Sequence, residues 1–384
     1  MRRGYLASGF LALALAAGFG GAAAAQDTIK LGFIAERAGG YAAYGIPNYN
    51  GSRLAIKKIN EAGGVTVDGK QYDLELVVRD SRTDERQASA AAVELISDVG
   101  VNFLFGAIGR LAPVVLQLSE ANGVIYFTSS SSAAAQIDQT KHMVITIPPV
   151  PVRVGLTAKG ARQIFPDAKS VAFLLRQEAT TEELLEPMQE GFKAQGFEIA
   201  AVEVYPEGAT DLSASLTRIR ATKPDLLFTG WDIEPVVLAA RTNEEIDAAP
   251  RLFSYAVSCR NVQKAGFTRP FAANILAGAN LDNPSTPEAR QLAEEYKAFV
   301  GEKDPDNLYA VMWNYDFYFL LAAAIEKAGT FTDTDKVIKA MQQIEYQGVA
   351  GPIGIDEKNR AYYGLDFCYV ADSKANPEII HINP

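Results

Sequence analysis

The 384-residue chain predicts an α/β protein in which two doubly wound sheets make up two lobes. Three observations carry this. Short apolar, β-prone runs alternate with stretches of helical period almost from end to end. The roughly 360 residues that follow an N-terminal leader exceed what one core usually supports. A proline-rich break at 142–152 (HMVITIPPVPV) separates one αβ series from a second, as suits a crossing between lobes.

The first series opens with a strand at 28–35 (TIKLGFIA), followed by a loop at 36–49 rich in glycine and tyrosine. Residues 50–62 have helical period, with Leu54, Ile56 and Ile59 near the inner face, and Gly63-Gly64 stops the helix. A strand at 71–79 and an alanine-rich helix at 84–98, ending before Gly100, come next. Residues 102–106 (NFLFG) suit a strand buried on both faces of a parallel sheet. Pro113 fits the first turn of the next helix, Asn122-Gly123 ends it, and 124–128 is again β-prone. That completes a βαβαβ series.

Beyond the break, helices are expected at 153–165, 181–195 (with Thr181 as cap), 212–221 and 234–241. Strands alternate with them at 170–176, 197–205, 225–229 and 251–255. The apolar stretch 274–280 (NILAGAN) reads as a second crossing. Two long helices follow at 287–301 and 309–329, then a helix at 333–344 with Thr332 as its cap, and strands at 348–354 and 365–370 close the chain.

Residues 1–25 read as a secretory signal. Arg2-Arg3 is the basic start, 6–20 the apolar run, and Ala23-Ala24-Ala25 a small-residue site, giving cleavage after Ala25. The run is short for a membrane span, and a charged chain follows it. RRGYL matches the twin-arginine pattern only in part, so Sec and twin-arginine export both stay open. Two of the 36 basic residues and none of the 46 acidic ones lie in this leader, so the mature part holds 34 basic residues and a net charge of −12. That balance argues against nucleic acid or an anionic membrane as partner. Cys259 and Cys368 are the only cysteines. Export permits a disulfide, but one pair in so long a chain is no scaffold, and two buried free thiols are expected.

The candidate site lies in 102–133. Both loops of that unit leave the carboxyl ends of neighbouring parallel strands, where open α/β sheets bind ligands. One loop offers Gly109, Arg110 and the first amides of a helix; the other offers Ser129, Ser130, Ser131 and Ser132. Together they form a polar cup suited to a carboxylate or another compact oxyanion. An isolated serine run reads as a solvated turn; two such loops in adjacent βα units favour a site.

The order of motifs resembles the leucine/isoleucine/valine-type periplasmic binding proteins, the type I receptors of ABC importers. The resemblance rests on TIKLGFIAERAGGYAAYG, NGSRLAIKKINEAGGV, VVRDSRTDERQASAAAVELI, GAIGR, FTSSSS, TKPDLLFTGW and GPIGIDEKNR, and covers the mature chain. It implies two Rossmann-like lobes joined by a three-segment hinge, with a small solute held between them. The lobes implied are 26–148 plus 278–360 and 149–277 plus 361–384. It further implies a periplasmic monomer that hands its ligand to an ABC permease in the inner membrane.

Carried over residue by residue, the resemblance makes Tyr44 a ligand-packing ring. Gly109-Arg110 falls where the family holds an α-carboxylate, with arginine in place of the usual serine, and Arg110 is suited to a bidentate grip. Ser130 and Ser132, flanking Ser131, match positions that contact a ligand amino group. Trp231 stands where an aromatic residue closes over the ligand, while the position of a further family tyrosine falls near Thr180. Tyr255 lies in the stretch 253–257 (FSYAV), where amino-acid receptors usually place an acid and this chain has none. An unanswered ammonium in a closed cleft is costly. Unless Asp232 or Glu178 supplies the charge, Arg110, Tyr44, Trp231 and Tyr255 fit an organic acid with an apolar or aromatic body better than an α-amino acid.

Catalysis finds little support. His142 and His381 sit in no nucleophile elbow or metal-binding motif. No cysteine or histidine cluster has metal spacing, and no glycine loop forms a phosphate cradle, so no metal or cofactor is expected. The competing classes are an import receptor, an extracytoplasmic sensor for a signalling partner and, last, a secreted hydrolase.

Overall fold

The computed structural model describes residues 27–130, 136–148, 150–230, 233–255, 257, 259–275, 281, 284, 286–302, 308–349, 351–372 and 374–382. The leader, Ser131, Ser132, Trp231 and Asp232 lie outside these residues.

The first sheet comprises β1 (Asp27–Ala35), β2 (Val65–Val67), β3 (Lys70–Asp80), β4 (Phe103–Gly106), β5 (Ile125–Thr128) and β6 (Met143–Ile145). Its order is β2-β3-β1-β4-β5-β6, parallel except for the β2–β3 hairpin. Strand order reverses between β1 and β4, so the loops leaving these two strands border a crevice at the carboxyl edge. Both β4 and β5 are buried along their whole length, as their unbroken apolar runs require.

Helix α1 (Ala42–Glu61) begins well before residue 50. Gly45 and Pro47 hid its start. Gly45 lets the helix pack on the backbone of Glu36, into which a Cβ would run, and Pro47 lies inside the helix, past its first turn, where it gives no N–H to the ladder. Tyr44 is therefore helical rather than in a loop. In α2 (Glu85–Val93) the Asp84 carboxylate accepts from the Gln87 N–H at 3.0 Å; the helix continues as a π-helical turn, Glu94–Val99. Next, α3 (Ala112–Ala121) carries Pro113 at its start.

The second lobe runs α4 (Val150–Ile164), β7 (Ser170–Arg176), α5 (Ala179–Ala194), β8 (Glu198–Tyr205), α6 (Ser213–Ala221), β9 (Leu226–Thr229), α7 (Ile233–Ile246), β10 (Leu252–Ser254), α8 (Cys259–Lys264) and β11 (Phe271–Ile275). The chain then returns: α9 (Pro287–Val300) and α10 (Met312–Ala328) pack on α1, followed by α11 (Thr334–Met341) and a small sheet of β12 (Tyr346–Gly348), β13 (Gly351–Ile355) and β14 (Ala361–Tyr362). Finally β15 (Leu365–Val370) and β16 (Glu378–Ile382) join the second sheet, of order β16-β15-β11-β10-β9-β7-β8, as antiparallel strands. The chain thus passes three times between its two sheet-bearing lobes, after β6, after β11 and after β14. Aromatic contacts hold each interior together: Phe105 stacks at 4.3 Å on Phe127 and 4.2 Å on Tyr318, and Phe192 meets Phe173, Phe228 and Phe253 edge-on.

Several local expectations are corrected. The Thr181 hydroxyl donates to the Arg176 carbonyl inside the first turn of α5 rather than capping it, and Asp333, not Thr332, caps α11. Strands β2, β6, β11, β14 and β16 were not foreseen, and the strand expected at 348–354 falls on the hairpin of β12 and β13. Cys259 and Cys368 are bonded to each other, with Cα atoms 5.9 Å apart across 109 residues of sequence. Nothing local announced that β15 would return beside β11 and bring Cys368 to the start of α8.

Candidate functional site

The crevice of the first lobe is built on the loops after β1, β4 and β5. In the loop after β4, Gly106 and Gly109 take φ of 91° and 57°, with Ala107 between them at 52°. A Cβ on Gly109 would strike the Tyr41 ring, so glycine is required there both for its backbone and for its bareness. The Tyr126 hydroxyl lies 3.0 Å from the Gly106 carbonyl and 2.9 Å from that of Ala107, and so secures the loop from below. The Ile108 N–H donates to Glu36 Oε1 at 3.2 Å. Glu36 is fully buried, and burial, aided by the charge of Asp80, pushes its carboxyl up to about 8. At neutral pH it is therefore protonated.

Ser130 donates its hydroxyl to the Gly109 carbonyl at 2.8 Å. The two loops read from the sequence as one cup are thus physically joined. Arg110 turns elsewhere: its Nη2 donates to the Thr83 carbonyl at 2.8 Å, its Nε lies 3.2 Å from Glu85, and its side chain is 54% exposed. Tyr44 stacks on Trp313 in the first turn of α10, with centroids 5.9 Å apart and planes 15° apart. Sequence reasoning passed over Trp313; the signal was its place at the head of the aromatic-dense helix.

In the second lobe Tyr255 follows the carboxyl end of β10 and is tied back to β9 through its N–H, which donates to the Gly230 carbonyl at 3.2 Å. Arg153, on the first turn of α4, donates from Nη1 to the Tyr255 hydroxyl at 2.7 Å and is 1% exposed. Burial pushes the Tyr255 phenol up, so it stays neutral. Arg153 went unnoticed as a site residue because in the sequence it is only the first residue of the helix expected at 153–165. Glu178 is held by Arg176 through two bonds, of 3.1 and 2.6 Å. Thr180 lies on α5, with its side chain outside the described residues.

Neither histidine joins this arrangement. His142 contacts Glu120 and Asp335, and His381 pairs with Asp366 across β15 and β16. Among the described residues no group of acids, histidines and cysteines has the makings of a metal site.

A family model for periplasmic binding proteins matches residues 28–372. The chain belongs to that family, in its leucine/isoleucine/valine type. This binding protein is 26% identical over 351 residues, 91% of each chain, to the leucine-, isoleucine-, valine-, threonine-, and alanine-binding protein of Pseudomonas aeruginosa. A branched-chain amino acid transporter substrate binding protein of Streptococcus pneumoniae, solved with isoleucine, shares its fold at a TM-score of 0.72 and 20% identity, over 93% of this chain and 100% of that one. So does an ABC transporter solute binding protein of Rhodopseudomonas palustris BisB5 in complex with 3,4-dihydroxy benzoic acid, at a TM-score of 0.72 and 22% identity, over 93% and 97%. The family is one of solute-binding proteins rather than enzymes.

Proposed function

We propose that this binding protein is the extracytoplasmic receptor of an ABC importer of the branched-chain amino-acid type. It captures a small carboxylate-bearing molecule between its lobes and presents the closed form to a membrane permease. The observation that carries this is the Ser130–Gly109 bond, which joins the loops after β4 and β5 into one polar rim in a chain that matches the binding-protein family over residues 28–372. The Tyr44–Trp313 stack supplies an apolar wall. The lobes are 26–148 plus 278–360 and 149–277 plus 361–384, the protein is a monomer, and the leader 1–25 directs it to the periplasm. No described helix is long and apolar enough to cross a membrane.

Within that reading the ligand is an organic acid with an aromatic or aliphatic body rather than an α-amino acid. Two observations support this choice. The carboxylate of Glu178 already serves Arg176, and Glu36, beside the crevice loops, is protonated at neutral pH and offers no charge to an ammonium. A thermal-shift panel tests it, setting leucine, isoleucine and valine against benzoate, 3,4-dihydroxybenzoate and 4-methylpentanoate. Stabilisation by carboxylates without an ammonium group is expected. A shift with the amino acids alone overturns the organic-acid reading, and no shift with any of them counts against the receptor itself.

A further inference from the structure

We propose that Arg153 and Tyr255, in the second lobe, are the pair that grips the ligand's carboxylate. This rests on the reading of the protein as a carboxylate receptor and names the anchor within it.

The placement is specific. Arg153 lies in the first turn of α4, five residues beyond the segment 146–148 by which the chain first leaves the first sheet, and Tyr255 stands at the carboxyl end of β10, beside the Gly230 end of β9. A second pass between the lobes closes the same corner: Tyr363, between β14 and β15, donates its hydroxyl to the Thr146 carbonyl at 2.9 Å and feels the charge of Arg153. Thr157, one turn along α4 from Arg153, accepts from Asn274 on β11 at 2.8 Å, which fixes that helix against the second sheet. The guanidinium is therefore held rigidly at the junction of the lobes and the strand ends.

The chemistry fits an anion. A guanidinium presents a planar fork that matches a carboxylate, and the neutral phenol in contact with it is a second hydroxyl partner for the same group. In so dry a setting such contacts are far stronger than at the surface. Glu183, an acid within electrostatic reach on α5, feels the guanidinium's charge, while burial pushes its carboxyl up. Arg110 makes the contrast: half exposed and turned to Thr83 and Glu85, it is suited to bracing the loop before α2.

Isothermal titration of the mature protein with benzoate and 4-methylpentanoate, and with the uncharged benzamide and 4-methylpentanamide, tests the assignment. The wild-type protein prefers the acids. Arg153→Met weakens the acids about 100-fold and the amides little, which erases the preference; Tyr255→Phe weakens the acids about tenfold; Arg110→Ala changes neither by more than about threefold. If Arg153→Met does not fold by circular dichroism, Arg153→Lys, which keeps the charge and loses the fork, takes its place. Binding by the wild type with unaltered acid preference in the Arg153 and Tyr255 variants overturns this assignment alone. Loss of preference in Arg110→Ala instead moves the anchor to the first lobe. A wild-type protein that binds none of the four probes overturns the carboxylate-receptor reading, and the anchor with it.

Discussion

The Glu36 carboxyl accepts the Ile108 N–H at 3.2 Å, beneath the loop that carries Gly109. Its other oxygen is buried and has no hydrogen-bond partner among the described residues. The carboxyl faces Asp80, itself 3.4 Å from Arg37, and lies within reach of Tyr126.

A pH dependence follows. Folding raises the Glu36 carboxyl from 4.5 to about 8, so across that window the folded chain keeps a proton the unfolded chain has released. Stability therefore falls as pH rises through the window, by up to about 1.4 kcal/mol per unit. Glu36→Gln keeps the oxygen that accepts from Ile108 and removes the titration. Urea unfolding is expected to show the variant equal to wild type near pH 5 and about 2–4 kcal/mol more stable near pH 8. Parallel pH profiles would mean that Glu36 ionises like an ordinary carboxyl.

The disulfide bridges residues 109 apart, so the unfolded chain loses much freedom by keeping it. The double variant Cys259→Ala, Cys368→Ala is expected to lose about 2–4 kcal/mol in urea unfolding. Dithiothreitol should destabilise the wild type by a similar amount and leave the double variant unchanged.

Tyr44 and Trp313 belong to α1 and α10, far apart in sequence, and their rings lie nearly parallel. A double-mutant cycle through Tyr44→Ala and Trp313→Ala is expected to give a coupling of about 0.5–1.5 kcal/mol in stability. Additive losses would show that the rings pack independently.

At Gly109 a side chain meets both a left-handed backbone and the Tyr41 ring. Gly109→Ala is expected to cost about 1–3 kcal/mol in thermal or chemical unfolding. Adding Tyr41→Ala should return only the part due to the clash.

How legible the fold was depended on how far apart the interacting residues lie. The strands 28–35, 170–176 and 365–370 could be read almost to the residue, because a continuous apolar run carries its own signal. The start of α1 could not, since Gly45 and Pro47 look like loop residues until Glu36 is seen packed against Gly45. Ser130 and Gly109 follow adjacent strands, which is why both enter the candidate site in the sequence, and a hydrogen bond joins them in the structure. Arg110 looked like the anion binder on its local setting, yet Thr83 and Glu85, which engage it, come from the loop after β3 and the start of α2. Arg153 and Tyr255 are separated by 102 positions, and no local pattern tells that they touch. Charges that act across the fold are the hardest to see in one dimension.

The position of Cys368 so near the end of the chain has a consequence for how the protein matures. The covalent link cannot close until the chain has been made as far as β15, so every strand from β1 to β14 is synthesised without it.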